Sequence, residues 1–260
     1  MKCLARRIGD GKMLRLIKTW LKVPVEETDE RGNRRMSGGR KATRGTPQGG
    51  VVSPILANIY MHRYIKAFRK YGLDQKYGAL LVNYADDFVV LCRHGAQEVM
   101  ETTRRWLASI GLTLNEEKTK LRNARCEPFD FLGYTFGPMY SPRTGGRYNG
   151  ARPSKKAIAS IREAIRGRLR NGNQAPWEEV VRSLNRTLRG WAAYFSYGSL
   201  AKARHDVQAH LYHTVRCFLR RRHKVAGSGY RQFPETKVFG ELGVLSLEHL
   251  PRTGTANASA

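Results

Sequence analysis

Two adjacent carboxylates, Asp86 and Asp87, are the residues of this sequence best suited to chemistry. They end a polar pentad, Asn83–Asp87, that lies between two apolar runs, residues 79–82 and 88–92. Short runs rich in Val and Leu are typical of buried strands, so the pentad is predicted to form the turn of a hairpin. Carboxylates at such a tip are costly to desolvate unless a cation compensates them. Their hard oxygen atoms suit Mg²⁺, which usually keeps waters and shares its coordination with substrate phosphates. The alternative is a solvated acidic turn.

The composition indicates a polyanionic partner. The 260 residues include 47 Lys+Arg and 21 Asp+Glu, which gives a formal net charge of +26, and 41% are hydrophobic. The hydrophobic share supports a packed core, and the charge surplus favours a polyanion. Nucleic acid is favoured over a membrane, because no apolar run could span one and no signal-peptide core follows the first residues. Four scattered cysteines without a Cys-x-x-Cys pair predict reduced thiols in a cytoplasmic protein.

The elements around the acidic pair are predicted from local patterns. A Gly-rich stretch, residues 45–54, precedes a helix that Ser53 can cap and fits a binding loop as well as an ordinary turn. An amphipathic helix is predicted to end at Gly111, and Leu112–Thr119 is predicted to be a strand and turn. Phe129–Phe136 is typical of a tight aromatic hairpin around Gly133, although core aromatics would give the same pattern.

The C-terminal part is predicted to be a small helical bundle. After a linker over residues 138–153, Ser154 and Pro176 mark the starts of two amphipathic helices, and a third follows. Residues 152–231 contain 18 Lys+Arg and 4 Asp+Glu, a net charge of +14. An excess of one sign favours a phosphate-binding face over an ordinary charged surface.

Five stretches, in this order, resemble motifs of the reverse transcriptases encoded by group II introns. One motif alone would not be specific, but the ordered set covers most of the chain. Thr46–Pro54 resembles the Gln-Gly loop at the nucleotide and template site, and Tyr84–Asp87 resembles the metal-binding palm hairpin. Gly111–Thr119 resembles the next palm motif, and Phe131–Tyr134 resembles the primer-gripping hairpin. Leu188–Phe195 resembles part of the maturase, or thumb, domain.

The resemblance implies an α+β fold, in which part of a right-hand polymerase palm is followed by an α-helical thumb. The palm is expected over residues 1–137, the linker over 138–153, the maturase domain over 154–231 and a C-terminal extension over 232–260. Family members have a fingers region and the first half of the palm, with another metal-binding Asp, before the point where this chain starts. The chain is therefore expected to be an N-terminally truncated piece.

The resemblance also implies nucleotidyl transfer, in which a primer 3′-hydroxyl attacks the α-phosphate of a deoxynucleoside triphosphate. Asp86 and Asp87 are expected to hold Mg²⁺. Lys118 is expected to protonate or neutralise pyrophosphate, unless it is a solvated surface lysine. Nucleotide and template binding is expected from Tyr84, Ala85, Pro47, Gln48 and Gly49, and the primer grip from Phe131, Leu132, Gly133 and Tyr134. RNA binding is expected from Arg186, Arg189, Arg220, Arg221, Arg222 and Lys224.

The expected partners are intron RNA, an RNA template, a DNA primer and deoxynucleoside triphosphates. No membrane partner is expected, and the expected location is the cytoplasm, at the nucleoid when on target DNA. Three histidines on one predicted helix, His205, His210 and His213, lack partner cysteines and are interpreted as surface or RNA-facing residues rather than zinc ligands. Two alternatives stay open: a non-catalytic RNA-binding maturase fragment, and a retroelement remnant.

Overall fold

A computed structural model describes residues 1–28, 32, 34–38, 50–141 and 143–250 of the chain. The chain divides into two compact units, Met1–Leu121 and Arg122–Ala260. The architecture is α+β, with small antiparallel sheets and helices in agreement with the predicted class. None of the helices in the described ranges has the length and apolar character needed to cross a membrane.

The first unit contains five helices and two separate β-hairpins within its described residues. Asp10 caps α2, and the break before it divides the N-terminal helical region into α1 and α2. Helix α3 begins at Ser53, so the cap position is Val52, one residue earlier than predicted. In chain order the elements are α1 (Lys2–Ala5), α2 (Gly11–Trp20), β1 (Pro24–Thr28), β2 (Arg34–Gly38), α3 (Ser53–Lys70), α4 (Leu73–Tyr77), β3 (Leu80–Tyr84), β4 (Asp87–Leu91) and α5 (Ala96–Ser109).

The core of the first unit lies between α3, α5 and one face of the β3–β4 hairpin. Tyr64 is buried at its centre, where its hydroxyl lies 2.8 Å from the Thr103 hydroxyl and its ring packs on Phe88. Burial raises the pKa of Tyr64 to about 12, because the phenolate would lose its hydration there. Leu81 and Val90, a cross-strand pair, pack against the same cluster.

The prediction that β3 and β4 are buried strands is wrong for one face of the hairpin. Leu80 is 60% exposed and its cross-strand partner Leu91 is 42% exposed. Successive residues of a strand point to opposite faces, and α3 and α5 cover one face only. An unbroken apolar run cannot distinguish these cases, because the alternation that marks a half-covered strand is absent from it.

The strand predicted within Leu112–Thr119 is also absent, since this described stretch has no regular structure before a turn at residues 116–118. The Asn115 side chain accepts hydrogen bonds from the backbone amides of Glu117 and Lys118, at 3.1 and 3.2 Å. This local bonding satisfies the amides that a strand ladder would otherwise use.

The second unit combines a three-stranded sheet with three long helices. The sheet order is β5–β6–β7, with antiparallel pairing throughout. Ser154 caps the first helix by accepting a hydrogen bond from the Ala157 amide at 3.2 Å, as predicted. The elements are β5 (Phe129–Phe131), β6 (Tyr134–Tyr140), β7 (Arg147–Pro153), α6 (Lys155–Arg168), α7 (Trp177–Tyr194), α8 (Ala201–Arg222) and a π-helical turn at Lys237–Glu241.

Residues 233–247, expected to belong to an extension, contribute to the core of the helical bundle. Val238 and Leu247 are fully buried against the helices. Asn185 of α7 holds this segment from within, since its amide group donates to the Gly243 carbonyl at 2.7 Å and accepts from the Leu245 amide at 2.8 Å. The buried helix residues are Ile161, Ile165, Leu169, Val180, Leu184, Leu188, Ala192, Val207, Leu211, Val215, Phe218 and Leu219.

The segment predicted as a linker, residues 138–153, lies mostly in strands β6 and β7. Its Pro and Gly residues do not break the pairing, because Gly137 faces Gly150 and Pro138 faces Asn149 in register. Residues 122–137, expected to end the palm, fall in the second compact unit. The boundaries of the functional domains stay a prediction.

Candidate functional site

The acidic pair lies at the tip of the β3–β4 hairpin, as predicted. Tyr84 pairs with Asp87, which leaves Ala85 and Asp86 as the two turn residues. Ala85 has a φ of 52°, in the left-handed region. Two-residue hairpin turns require this conformation, although it is energetically unfavourable for alanine. Asn83 supports the turn from the covered face, where its side-chain amide donates to the Ala85 carbonyl at 3.4 Å.

Both carboxylates are exposed, and neither belongs to an ion pair within the described residues. The Asn83 side-chain oxygen beneath them is buried without a hydrogen-bond partner in the described part of the chain. Tyr84, which is 64% exposed, shares the outer face of the hairpin with Asp87 because the two are cross-strand partners. The tip thus presents two carboxylates beside an aromatic ring.

The donor set of this pair suits Mg²⁺, which proteins often hold through one or two carboxylates while water and phosphates complete the coordination. No group of three or more His, Cys, Asp or Glu able to hold a metal occurs among the described residues. Two other carboxylates of the first unit have structural partners: Asp10 accepts from the Lys12 amide at 2.7 Å, and Glu26 pairs with Arg34 at 3.1 Å. The acidic pair can therefore supply part of a coordination sphere.

Two other predicted site regions belong to the first unit. Lys118 is exposed in the turn after α5, where its backbone amide is bound by Asn115. Its side chain is in no ion pair with Asp86 or Asp87. Pro47, Gln48 and Gly49 lie outside the described residues.

The predicted primer-grip hairpin, Phe131–Tyr134, is bound to the end of α7. Leu132 and Gly133 form its turn with φ angles of 48° and 76°. The Tyr134 hydroxyl donates to the Tyr194 carbonyl at 2.8 Å, and the Tyr194 hydroxyl donates to the Leu132 carbonyl at 2.9 Å. Tyr134 also packs on Phe195, with ring centroids 5.0 Å apart. Two motifs that the sequence analysis assigned to different domains thus interlock.

The predicted RNA-binding residues differ in their local bonding. Arg186 and Arg189 lie exposed on α7. Arg220 donates to the Gly227 carbonyl and Arg222 to the Ala175 carbonyl, both at 2.8 Å. Each of these two side chains therefore holds a loop in place as well as carrying charge. Arg221 and Lys224, beside them, are exposed.

A basic concavity along α6, which the sequence analysis missed, has a volume of about 640 Å³. Lys155, Lys156, Arg162 and Arg166 line it, together with Asp206 and with Glu163, which pairs with Arg166 at 2.6 Å. Burial lowers the pKa of His210, and the positive charge of Arg166 lowers it further. The signal was present in the sequence, because residues 155, 162 and 166 recur at spacings that place them on one face of a helix.

A second concavity, of about 450 Å³, joins the loop after α6 to the last turn of α8. Arg221 and Arg222 lie on its α8 side, and the loop supplies amide side chains. Guanidinium and amide groups together can bind phosphate oxygens and base edges. Its lining residues are Arg170, Asn171, Gly172, Asn173, Gln174, Phe218, Arg221 and Arg222.

Two family models match the chain. The one described as reverse transcriptase (RNA-dependent DNA polymerase) matches residues 2–136. The one described as group II intron, maturase-specific domain matches residues 158–233.

Two curated proteins are similar to part of the chain. Protein YkfC of Escherichia coli (strain K12) is 30% identical over 168 residues, which cover 52% of the chain and 41% of that protein. A Schizosaccharomyces pombe protein, named as an uncharacterized 91 kDa protein in cob intron, is 27% identical over 144 residues, which cover 34% of the chain and 18% of that protein. The chain thus spans less than half the length of either relative.

Proposed function

Since the chain belongs to the reverse transcriptase family and carries the maturase-specific domain of group II introns, we propose that it acts in RNA-directed DNA synthesis and in splicing of a group II intron. Its ligands in this proposal are intron RNA, an RNA template with a DNA primer, and deoxynucleoside triphosphates. The observation that carries the catalytic part is the exposed pair Asp86 and Asp87 at the β3–β4 turn.

In this proposal Asp86 and Asp87 hold Mg²⁺. When bound, the metal would stabilise charge on the attacking and leaving oxygens of nucleotidyl transfer. The hairpin fixes where the two carboxylates lie, because the turn is bonded through Asn83 and the strands below it pack on α3 and α5. Tyr84, on the same face as Asp87, offers a ring surface for a nucleotide, and Lys118 supplies an exposed cation for pyrophosphate.

The RNA-binding part of the proposal rests on the basic helices of the second unit. Arg186 and Arg189 expose their charge, and the concavity along α6 adds four more cationic side chains. Contacts from such residues go mainly to phosphate oxygens, so they position RNA without reading its sequence. The Phe131–Tyr134 hairpin, fixed to α7, would hold the primer end.

Primer extension on an RNA template with Mg²⁺ tests the catalytic part. Asp86→Asn and Asp87→Asn remove the charge but keep the side-chain shape, and each should lower the rate by about 100-fold or more. Glu117→Gln is the matched control, because Glu117 is also an exposed carboxylate of this unit, and it should leave the rate unchanged. Equal rates above background for the parent and both Asn variants would remove the acidic pair from the mechanism.

A second candidate function is RNA binding in splicing without DNA synthesis. The specific observation behind it is that the described residues offer two carboxylates at the hairpin tip and no larger metal-binding group. This candidate predicts that a group II intron RNA binds to the chain with an affinity that falls steeply as the salt concentration rises. It also predicts that primer extension stays at background. Extension that depends on Asp86 would rule it out.

A further inference from the structure

The outer part of the β6–β7 hairpin, residues 139–141 and 143–149, exposes aromatic and cationic side chains that the functions above do not use. We propose that this hairpin tip is a stacking platform for unpaired nucleotides of single-stranded RNA. The proposal goes beyond reverse transcription and splicing, because it needs neither the acidic pair nor the basic helices.

The lower half of the hairpin is fixed while its outer half is exposed. Near the base, Ala151 is buried, and its carbonyl accepts a hydrogen bond from the Ser199 amide at 2.7 Å. Towards the tip, Tyr140 is 68% exposed and Tyr148 is 42% exposed. Antiparallel pairing continues to the Tyr140–Arg147 pair, so the exposed part is an ordered arm rather than a loose loop.

The pairing register places one tyrosine on each face of the arm. Cross-strand partners share a face, so Tyr140 lies beside Arg147 on one face, while Tyr148 lies beside Met139 on the other. A Cβ at Gly150 would lie 2.8 Å from both the Met139 Sδ and the Tyr148 Cε2 atoms. Because Gly150 has no side chain, the Tyr148 ring can lie against Met139. This contact limits the conformations that the ring can adopt.

The turn that ends the arm is held by its own hydrogen bonds. The Ser141 amide donates to the Gly146 carbonyl at 2.8 Å, and the Gly145 amide donates to the Ser141 carbonyl at 2.9 Å. The Thr144 hydroxyl accepts from the Gly146 amide at 3.2 Å. This bonding fixes the backbone from which Arg143 projects, so its guanidinium starts from a defined position.

The charge of the arm selects its partner. Residues 137–151 include Arg143 and Arg147 but no Asp or Glu. Aromatic rings beside arginines are the features with which proteins stack unpaired bases and bind the phosphates between them. A protein-docking face would need a larger apolar surface, whereas the exposed large hydrophobic residues of the arm are tyrosines. A duplex would hide its bases from the rings, so the arm fits a single strand.

Fluorescence titration of the full chain with a single-stranded RNA of about 12 nucleotides containing 2-aminopurine tests the proposal, since such lengths are typical of these sites. Replacing both tyrosines by leucine (Tyr140→Leu with Tyr148→Leu) should weaken binding at least tenfold, because about one stacked base or more is lost. The same variant should no longer quench the 2-aminopurine fluorescence on binding. The matched double Phe variant keeps both rings and should bind like the parent. Arg147→Gln should reduce the slope of log affinity against log salt concentration by about 0.7, because one phosphate contact is lost.

A blunt RNA duplex serves as the second ligand and should bind the parent and the double Leu variant equally. Unchanged single-strand affinity in the double Leu variant, with the folded circular dichroism spectrum retained, would overturn the proposal. An equal loss for duplex and single strand would also overturn it, because stacking is then not the cause. Failure here is distinguishable from failure of the proposed RNA-binding helices, since Arg186→Gln with Arg189→Gln tests those helices on the same two ligands.

Discussion

The molecule contains two tight hairpins with similar turns and different surroundings. In both the β3–β4 and the β5–β6 hairpins, the turn has positive φ angles, at Ala85 in the first and at Leu132 and Gly133 in the second. The first turn is exposed and held by a single bond from Asn83, within the described residues. The second is held from outside by Tyr194 and packs on Phe195. The exposed turn is the one proposed to bind Mg²⁺, and the turn bonded to its neighbours is the one proposed to hold the primer end.

Gly133→Ala should give the largest loss of stability, because Gly133 lies in the turn of the β5–β6 hairpin that Tyr194 and Phe195 hold. A Cβ there would lie 3.2 Å from the Phe195 ring, at a φ of 76° that alanine tolerates poorly. We expect a loss of about 2–3 kcal/mol in the free energy of unfolding, from strain and displacement of Phe195 together. Gly172→Ala is the control, because its φ is 87° but no atom lies within 4 Å of its Cβ position. Urea unfolding should show a loss of about 1 kcal/mol there, and equal losses for both would show that Phe195 does not enclose the turn.

The free energy of unfolding at alkaline pH tests whether the covered face of the β3–β4 hairpin excludes water. The pKa of Tyr64 is raised by burial to about 12, from 10.0 in the unfolded chain. The folded state therefore keeps a proton that the unfolded state loses, so stability is complete below pH 10 and falls as pH rises through about 12. The expected slope is at most about 1.4 kcal/mol per pH unit. Tyr64→Phe should remove this slope from unfolding curves, whereas Phe in place of the exposed Tyr71 should not.

Removing single tyrosine hydroxyls compares the two hairpins directly. Tyr134→Phe and Tyr194→Phe each delete one hydrogen bond to a backbone carbonyl and should cost about 1 kcal/mol. Tyr84→Phe at the acidic hairpin, where the ring is exposed, should change the free energy of unfolding by less than about 0.5 kcal/mol. A loss at Tyr84 as large as those at Tyr134 and Tyr194 would mean that the acidic turn is bonded as firmly as the other.

The smallest expected change in stability is that of Ala85→Gly, in the turn of the β3–β4 hairpin. Ala85→Gly relieves the left-handed strain but increases the freedom of the unfolded chain, so stability should rise by no more than about 0.5 kcal/mol. Ala85→Val should destabilise by more than about 1 kcal/mol, because a β-branched residue fits this φ badly. Thermal unfolding of both variants measures the difference. Equal midpoints for Gly and Val would contradict the two-residue turn.

Local signals in the sequence predicted much of this fold. The turn at Ala85 and Asp86, the Gly133 turn and the Ser154 cap depend on neighbouring residues, and the structure has all three. The exposed face of β3–β4 was missed because an all-apolar run does not reveal which face is covered. The strands within residues 138–153, predicted as a linker, were missed because their pairing depends on the β5–β6 hairpin, and because Pro and Gly are typical of loops. The role of residues 233–247 in the core depends on Asn185, about 60 residues earlier in the chain, and no local pattern contains that contact.

The central claim is that metal chemistry belongs to the acidic hairpin and RNA binding to the basic second unit. The affinity for a group II intron RNA, measured across salt concentrations for the parent and two variants, tests it most directly. Replacement of Arg186, Arg189 and Arg221 by Gln should weaken binding at least about tenfold and flatten the salt slope by about two, because three phosphate contacts are lost. Asp86→Asn should leave affinity and slope unchanged. Unchanged binding after the three arginine substitutions, or weakened binding after Asp86→Asn, would contradict this division.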